Sequence, residues 1–499
     1  MEQYSLTYDF GSGSLKAALV NAQHRIAASC NLAYSTIFPQ KGWAVQRPDE
    51  LWVCMQQATR QLMETAQALP SQVRGIAISH TGSNFIFLDK NGVPLCDCVL
   101  WMDGRAVVQA AQLNQALGEQ RYTGKNVIAK LRWFMENEPE LIARAEKMVD
   151  LQGYLFFLMT GTVAYEHTSA WTTRLYDPHH CRWDDAQIAL CGIPRRLLPE
   201  RIVRSEELVA TLLPEAAALL GLQAGTPVFG GCCDHATAVL GAACVHPGDA
   251  HIYIGTSAWL AVTAEHYEDD LAIRSSPVPG QWYYYMESDS GGNSIDFLIR
   301  HFYQKELDQG LDVYSLIGEE ASVSGAYRDV LFLPFLTGAS APINDVLMRA
   351  SFLNLEAGTS RGQLARAVLD GLGFNLLWLK EFYQKKHGWH PRSLRGIGGG
   401  MMLPASVQTI ADILGDPITT MRDPRFAGNI GLSVCVEAGL RGTADAYEIL
   451  ETTGSFDRVF YPNPDLRERY DRLFSIYKEA FAALSGIYQK LNEGKETVQ

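Results

Sequence analysis

The feature that most constrains this chain is a strand, turn, strand pattern that occurs twice, about 240 residues apart. In the first copy Tyr4, Leu6, Tyr8 and Phe10 are apolar at every second position, with Ser5, Thr7 and Asp9 between them. Such alternation marks a β-strand. Gly11-Ser12-Gly13-Ser14 follows as a turn, and residues 15–20 (LKAALV) resume an apolar run. Together they predict a hairpin with a tip of small residues. In the second copy residues 250–254 form a short strand, Gly255-Thr256-Ser257 a turn, and residues 258–262 (AWLAV) the returning strand. A repeat at half the chain length is far longer than any solenoid period. It predicts two related α/β domains, residues 1–245 and 246–499, with a cleft between them. His246-Pro247-Gly248 punctuates the junction.

Composition narrows what such domains can do. Of the 499 residues, 47% are apolar and 19% charged, which excludes disorder as the dominant state. The 42 Lys and Arg against 55 Asp and Glu give a net charge of −13. That balance disfavours nucleic-acid binding, which relies on clustered basic residues. The longest small and apolar stretch, residues 236–245, is too short for a bilayer span of roughly 20 residues. No basic region followed by an apolar block opens the chain, so no secretory signal is expected. The ten cysteines lack any CxxC pair and read as reduced thiols of a cytoplasmic protein. His179-His180-Cys181 follows a turn sequence and reads as a solvated loop rather than a metal site. Helices are expected over residues 50–69, 360–384, 405–414, 429–440 and 465–491.

Five constellations can carry chemistry. The first is Asp9-Phe10-Gly11-Ser12-Gly13-Ser14-Leu15-Lys16. Glycine lets backbone N–H groups approach an anion, serine hydroxyls add donors, and Lys16 adds charge. Asp9, at the strand end, could hold hydrated Mg²⁺. The alternative is a Gly/Ser hairpin without a ligand. The second, Gly255-Thr256-Ser257, is weak alone and gains weight as the partner of the first. The third is Gly230-Gly231-Cys232-Cys233-Asp234-His235, where Asp234 is either a helix cap or a carboxylate that accepts a hydroxyl proton. The fourth is Trp101-Met102-Asp103-Gly104-Arg105. It offers a flat apolar face, an acceptor and a fork of donors to a sugar, or else a salt-bridged turn. The fifth is Gly398-Gly399-Gly400 at a strand end, which admits a flat ring close to the backbone or forms a flexible turn.

Taken in order, these residues resemble the FGGY carbohydrate kinases, a family that includes xylulokinases, glycerol kinases and ribulokinases. The opening DFGSGSLK is similar to the family's Asp-x-Gly-Thr phosphate loop. Gly42-Trp43-Ala44-Val45-Gln46-Arg47-Pro48 is similar to its Gly-Trp-x-Glu-Gln-x-Pro stretch, with Val45 in the Glu column. Gly92-x-Pro94 with WMDGR, Gly230 to Asp234, the segment from Leu336 to Gly371, and Gly398–Gly400 with Gln408, Ala411 and Asp412 match further family segments. The resemblance covers nearly the whole chain. It implies two ribonuclease-H-like domains of the actin and hexokinase type around a central cleft, an α/β fold. It implies ATP with Mg²⁺ and a small sugar or polyol substrate, a ketose such as a pentulose first. Asp234 would be the catalytic base, and Asp9 and Asp234 would hold the metal. Ser12, Gly13, Lys16, Gly255 and Thr256 would meet the phosphates, and Gly399 and Gly400 the adenosine. Ser83, Asn84, Trp101, Asp103, Asp234 and His235 would line the sugar site.

The chain also departs from the pattern. Xylulokinases carry Met-His-Gly in a region where this chain has Gly82-Ser83-Asn84, so Ser83 fills the histidine column. His235 stands where xylulokinases have Asn, and Ser12 where the family has Thr. An actin-like or chaperone-like ATPase without a sugar acceptor, or a catalytically silent sugar sensor, are the competing expectations. No membrane or nucleic-acid partner is expected, and a homodimer is left open.

Overall fold

Residues 4–33 fold as a three-stranded meander, one strand more than the expected hairpin. Tyr4–Phe10, Ser14–Asn21 and Ile26–Ala33 run antiparallel in that order. The third strand (IAASCNLA) is hard to see in the sequence because small residues stand at its buried positions, Ala28 and Cys30. Val73–His80 adds parallel to the first strand. Pro227–Phe229 and Leu208–Thr211 extend the sheet beyond it. The computed structural model describes residues 2–492 apart from 269–271, 324, 326, 328, 443 and 454.

Helices cover this first sheet. Pro48–Ala66 begins with Pro and two acidic residues, a favourable start for φ and for the helix dipole. Its Leu51, Met55, Ala58 and Leu62 are buried with Leu6, Tyr8 and Leu19 in one core cluster. Each such large side chain contributes roughly 1.5–3 kcal/mol on burial. Ser5 and Thr7, the polar residues between the apolar ones, are buried as well. Thr7 lies under the helix Ala427–Arg441, whose Asn429 amide donates to Thr7 O (3.2 Å), Thr7 Oγ1 (3.2 Å) and Lys16 O (3.1 Å). This helix meets the helix Asp234–Gly241 through glycines. A Cβ on Gly431 would fall 2.3 Å from Thr237 O, and one on Gly241 would fall 1.9 Å from Ala427 O.

The second sheet opens the same way. Asp249–Ile254 and Ala258–Ala264 form an antiparallel pair, and Ser393–Ile397 adds parallel to the first of them. Ile418–Met421 and Phe456–Phe460 continue beyond it. Arg361–His387 starts from a capping box in which Ser360 and Gln363 satisfy each other's backbone N–H groups. Pro404–Leu414 packs against it.

The chain forms two compact units. The first takes Met1–Val245, His266–Trp282 and Phe426–Ser455, and the second takes His246–Glu265, Tyr283–Arg425 and the residues from Phe456 onward. The main division falls at 245/246, and two later segments rejoin the first unit. The second of these brings Ala427–Arg441, which completes the cover of the first sheet. Among the described residues no helix is long and apolar enough to cross a membrane. Among the described residues the ten cysteines form no disulfide. The loop at 179–181 is exposed, with His180 Nδ1 2.6 Å from Asp177 Oδ2.

Candidate active site

The first turn is arranged so that its carbonyl oxygens are spent. Gly11 N–H donates to Ser14 O (2.9 Å), and Gly11 O accepts the Tyr34 hydroxyl. Ser12 O accepts Thr36 Oγ1 (2.7 Å) and Gln46 Nε2 (2.9 Å), and Gly13 O accepts Tyr34 N–H (3.1 Å). With its acceptors committed, the turn offers an incoming ligand mainly donors, which is the electrostatic character of an anion cradle. The Ser12 hydroxyl oxygen accepts Trp101 Nε1–H at 3.1 Å. Lys16 stands directly across from Asp9 in the strand register, so the two side chains share one face of the sheet. Gln46 helps to hold this turn, a task that the sequence motif alone did not assign to it.

The segment 101–105 is held from behind. Asp103 is wholly buried. Its carboxylate accepts Arg105 Nε (2.9 Å), Arg105 Nη2 (2.8 Å) and Ala44 N–H (2.7 Å). The Arg105 guanidinium lies 3.8 Å from the Trp43 ring centroid. Asp103 was expected to meet the sugar, yet both of its oxygens serve this latch. Asn84 differs from expectation in the same way. It is buried, its amide donates to Thr81 O (2.6 Å), and its carbonyl accepts Leu151 N–H (3.0 Å). Trp101 is 36% exposed, and Ser83 is half-buried at a positive φ of 57° with its N–H on Thr172 Oγ1 (2.8 Å).

Lys130, which sequence reasoning missed, joins these two stretches. Its ammonium donates to Leu100 O (2.6 Å) and Ser83 O (3.3 Å). Burial pulls its pKa down to about 7, against the nearby charge of Asp103. A lysine inside the apolar run VIAKLRWF was the available signal.

Asp234 opens its helix on a tightly fixed lead-in. Gln152 Nε2 donates to Ile78 O (2.7 Å) and Gly230 O (2.5 Å). Gly231 N–H reaches Ser205 O (2.9 Å), and Cys233 N–H reaches Thr168 Oγ1 (3.0 Å). Gly231 has φ +62°, and a Cβ there would sit 2.1 Å from Ile78 O, so glycine is required. Thr168 Oγ1 donates to Glu166 Oε2 (2.6 Å). Burial pushes the Glu166 carboxyl up to about 8, against hydrogen bonds from Thr168, Ser205 and Ser169. Behind the Ser83 loop, His80 is buried 3.2 Å from Asp150 Oδ2 and 2.9 Å from Ser169 Oγ. Burial alone would lower its pKa, but Asp150 and then Asp234 outweigh it and raise it.

Asp234 and His235 are both half-buried. A Cβ on Gly428 would come 3.0 Å from Asp9 Oδ2 and 3.4 Å from Thr237 Oγ1. Thr237 lies in the first turn of the Asp234 helix, and its hydroxyl donates to Asp234 O (2.6 Å). Gly428 therefore packs closely between Asp9 and that helix turn, where a side chain would crowd both. The Asp9 carboxylate is a hard oxygen donor of the kind that Mg²⁺ takes. Ligand atoms of Cys233, Asp234 and His235 also lie within 4.8 Å of one another, but thiol and imidazole are softer donors than Mg²⁺ prefers.

The second unit holds its turn with backbone. Gly255 N–H donates to Ser257 O (2.9 Å). Gly255 O accepts Gly292 N–H (2.7 Å), and Thr256 O accepts Asn293 N–H (3.1 Å). Both donors lie at the start of the helix Gly292–Leu298. A Cβ on Gly292 would strike Gly255 O at 2.4 Å, and one on Gly291 would strike Ser257 O at 2.3 Å. Of the triplet, Gly398 and Gly400 pack on Ile254, where a Cβ would meet atoms at 2.5 and 2.3 Å. Gly399 alone faces open space.

Comparison with known proteins decides the family. Residues 4–241 match the N-terminal domain and residues 250–434 the C-terminal domain of the FGGY family of carbohydrate kinases. The chain belongs to this family. As an FGGY kinase it has the expected two-domain α/β fold and transfers a phosphoryl group from ATP to a small carbohydrate. It is 28% identical to a xylulose kinase of Lactococcus lactis over 98% of this chain and 99% of that one. It is 26% identical to an L-xylulose/3-keto-L-gulonate kinase of Escherichia coli over 99% of each. Among solved structures, a ligand-bound xylulose kinase from Lactobacillus acidophilus superposes with a TM-score of 0.86 at 23% identity, covering 98% of this chain and 100% of that one.

Proposed function

We propose that this FGGY kinase phosphorylates a hydroxyl of a small ketose, a pentulose before other sugars, with Asp234 as the base. The observation that carries the proposal is the close packing of Gly428 between Asp9 and the first turn of the Asp234 helix, beside a turn whose carbonyls are hydrogen-bonded. The names of several relatives, xylulose kinases, support the pentulose.

Ser12, Gly13 and Lys16 take the phosphates in the first unit, and Gly255 and Thr256 take them in the second. Gly399 is the open member of the triplet beside the adenosine, with Gly400 packed behind it. Trp101, Ser83 and His235 line the sugar site, while Asp103, Asn84 and Lys130 hold its walls. Asp9 and Asp234 would hold Mg²⁺, which when bound offsets charge on the β- and γ-phosphates. Asp234 orients the acceptor hydroxyl and takes its proton as the new O–P bond forms to the γ-phosphorus and the bond from that phosphorus to the ADP oxygen breaks, releasing ADP. An ordinary carboxylate suffices for this, since phosphoryl transfer depends mostly on positioning and electrostatics.

The test is ADP release by the purified protein across pentuloses, hexuloses, polyols and sugar acids. The proposal expects the highest kcat/KM on a pentulose such as xylulose. ATP turnover indifferent to every sugar would instead favour an actin-like ATPase, and ATP binding without turnover a sugar sensor.

A further inference from the structure

We propose that Trp101 is a positioning residue that ties the sugar side of the site to the first phosphate turn through the hydroxyl of Ser12. This rests on the assignment of that turn to the phosphates. The indole Nε1–H donates to Ser12 Oγ at 3.1 Å. A serine hydroxyl has one proton and two lone pairs. Accepting from Trp101 occupies one lone pair and leaves the proton free to be given to a phosphate oxygen. The Ser12 peptide is already fixed, because its carbonyl accepts from both Thr36 and Gln46. What remains free is the Ser12 side-chain torsion, with three staggered wells.

A threonine in this place would restrict that torsion through its β-methyl group. Serine has no such restriction, and the Trp101 N–H supplies it from outside. Trp101 is in turn well placed to respond to the sugar. It is 36% exposed, and its backbone is held on both sides. Lys130 binds the carbonyl of Leu100, and Asp103 anchors the segment to Arg105 and Ala44. A sugar that stacks on the indole steadies the ring and, through it, the Ser12 rotamer. Occupancy of the sugar site is thereby read by the phosphate turn through a single hydrogen bond.

Trp101→Phe keeps the ring and removes the N–H. We expect it to lower kcat/KM for ATP by about five- to tenfold, the scale of one hydrogen bond. The KM for xylulose should stay within about twofold, because the apolar face is retained. Ser12→Thr in the same chain should recover most of the loss, since its rotamer no longer needs the indole. In a Ser12→Ala background, Trp101→Phe should have no further effect on the ATP side. The proposal is overturned if Trp101→Phe costs the same factor with and without the Ser12 hydroxyl, or if it changes only the sugar KM. Calorimetric titration with AMP-PNP separates the two levels. If Ser12→Ala leaves both AMP-PNP affinity and kcat unchanged, the phosphate assignment of the turn falls, and the link with it. If Ser12→Ala is damaging but the double substitution is additive, only the link falls.

Discussion

Gly11-Ser12-Gly13-Ser14 and Gly255-Thr256-Ser257 carry the same small-residue signature and are held by different parts. In the first, the carbonyls of Gly11 and Ser12 are taken by the side chains of Tyr34, Thr36 and Gln46. In the second, the carbonyls of Gly255 and Thr256 are taken by the N–H groups of Gly292 and Asn293. Both leave a donor-rich edge for an anion. They differ in tolerance. The first turn can be weakened one side chain at a time, whereas the second rests on backbone contacts too close for any Cβ. Two halves built from a repeated topology have kept the electrostatics and exchanged the parts that enforce it.

Substitutions can break this contrast at several levels. The largest effect is expected from Gly292→Ala, which drives a methyl group into Gly255 O and forces the backbone apart. Strain of about 1–3 kcal/mol at that point should cut kcat/KM for ATP by about 10- to 100-fold, with an unchanged circular dichroism spectrum. Gly428→Ala comes next, because its methyl group would press on Asp9 Oδ2 at 3.0 Å. An approximately tenfold fall in kcat, with a higher Mg²⁺ concentration needed for half-maximal rate, is the expected result, given that one misplaced ligand oxygen is worth a few kcal/mol at most. Gln46→Ala should be milder, about threefold in kcat/KM for ATP, because Thr36 still binds Ser12 O. If Gln46→Ala equals Gly292→Ala in severity, the proposed difference between the turns is wrong.

A separate effect concerns stability against pH and lies outside both turns. Burial raises the Glu166 carboxyl from 4.5 to about 8. Between those values the native state keeps a proton that the unfolded chain has released. Stability should therefore be highest below pH 4.5 as far as this group is concerned, and should fall as pH climbs to about 8. Glu166→Gln, which mimics the protonated acid, should flatten that part of the profile in urea titrations. An unchanged slope would mean that Glu166 is ionised in the folded protein.

Much of the fold was legible in the sequence, and the reasons are local. The period-two strands, the glycine turns and the helices Pro48–Ala66, Arg361–His387 and Pro404–Leu414 carry their signals within a few residues. The strand Ile26–Ala33 was missed because its buried residues are small. The cover that Ala427–Arg441 gives Thr7 could not be read, since it joins residues more than 400 positions apart. The site divides in the same way. Glycine positions and acidic residues near strand and helix ends stand out as letters. What an acidic side chain has left to offer does not, because it depends on its neighbours. Asp103 looks like a sugar ligand until Arg105 and the distant Ala44 N–H are seen to take its oxygens. Glu166 and Thr168, which fix the peptide before Asp234, match no motif at all.

The most direct measurement is single-turnover phosphoryl transfer from ATP to the best sugar by Asp234→Asn, with nucleotide affinity measured in parallel. If Asp234 is the proposed base and metal-binding carboxylate, the substitution should slow transfer by about 10³-fold or more while AMP-PNP binds within about threefold of the parent protein. Transfer at an undiminished rate would contradict the assignment of Asp234 as the group that receives the sugar's proton.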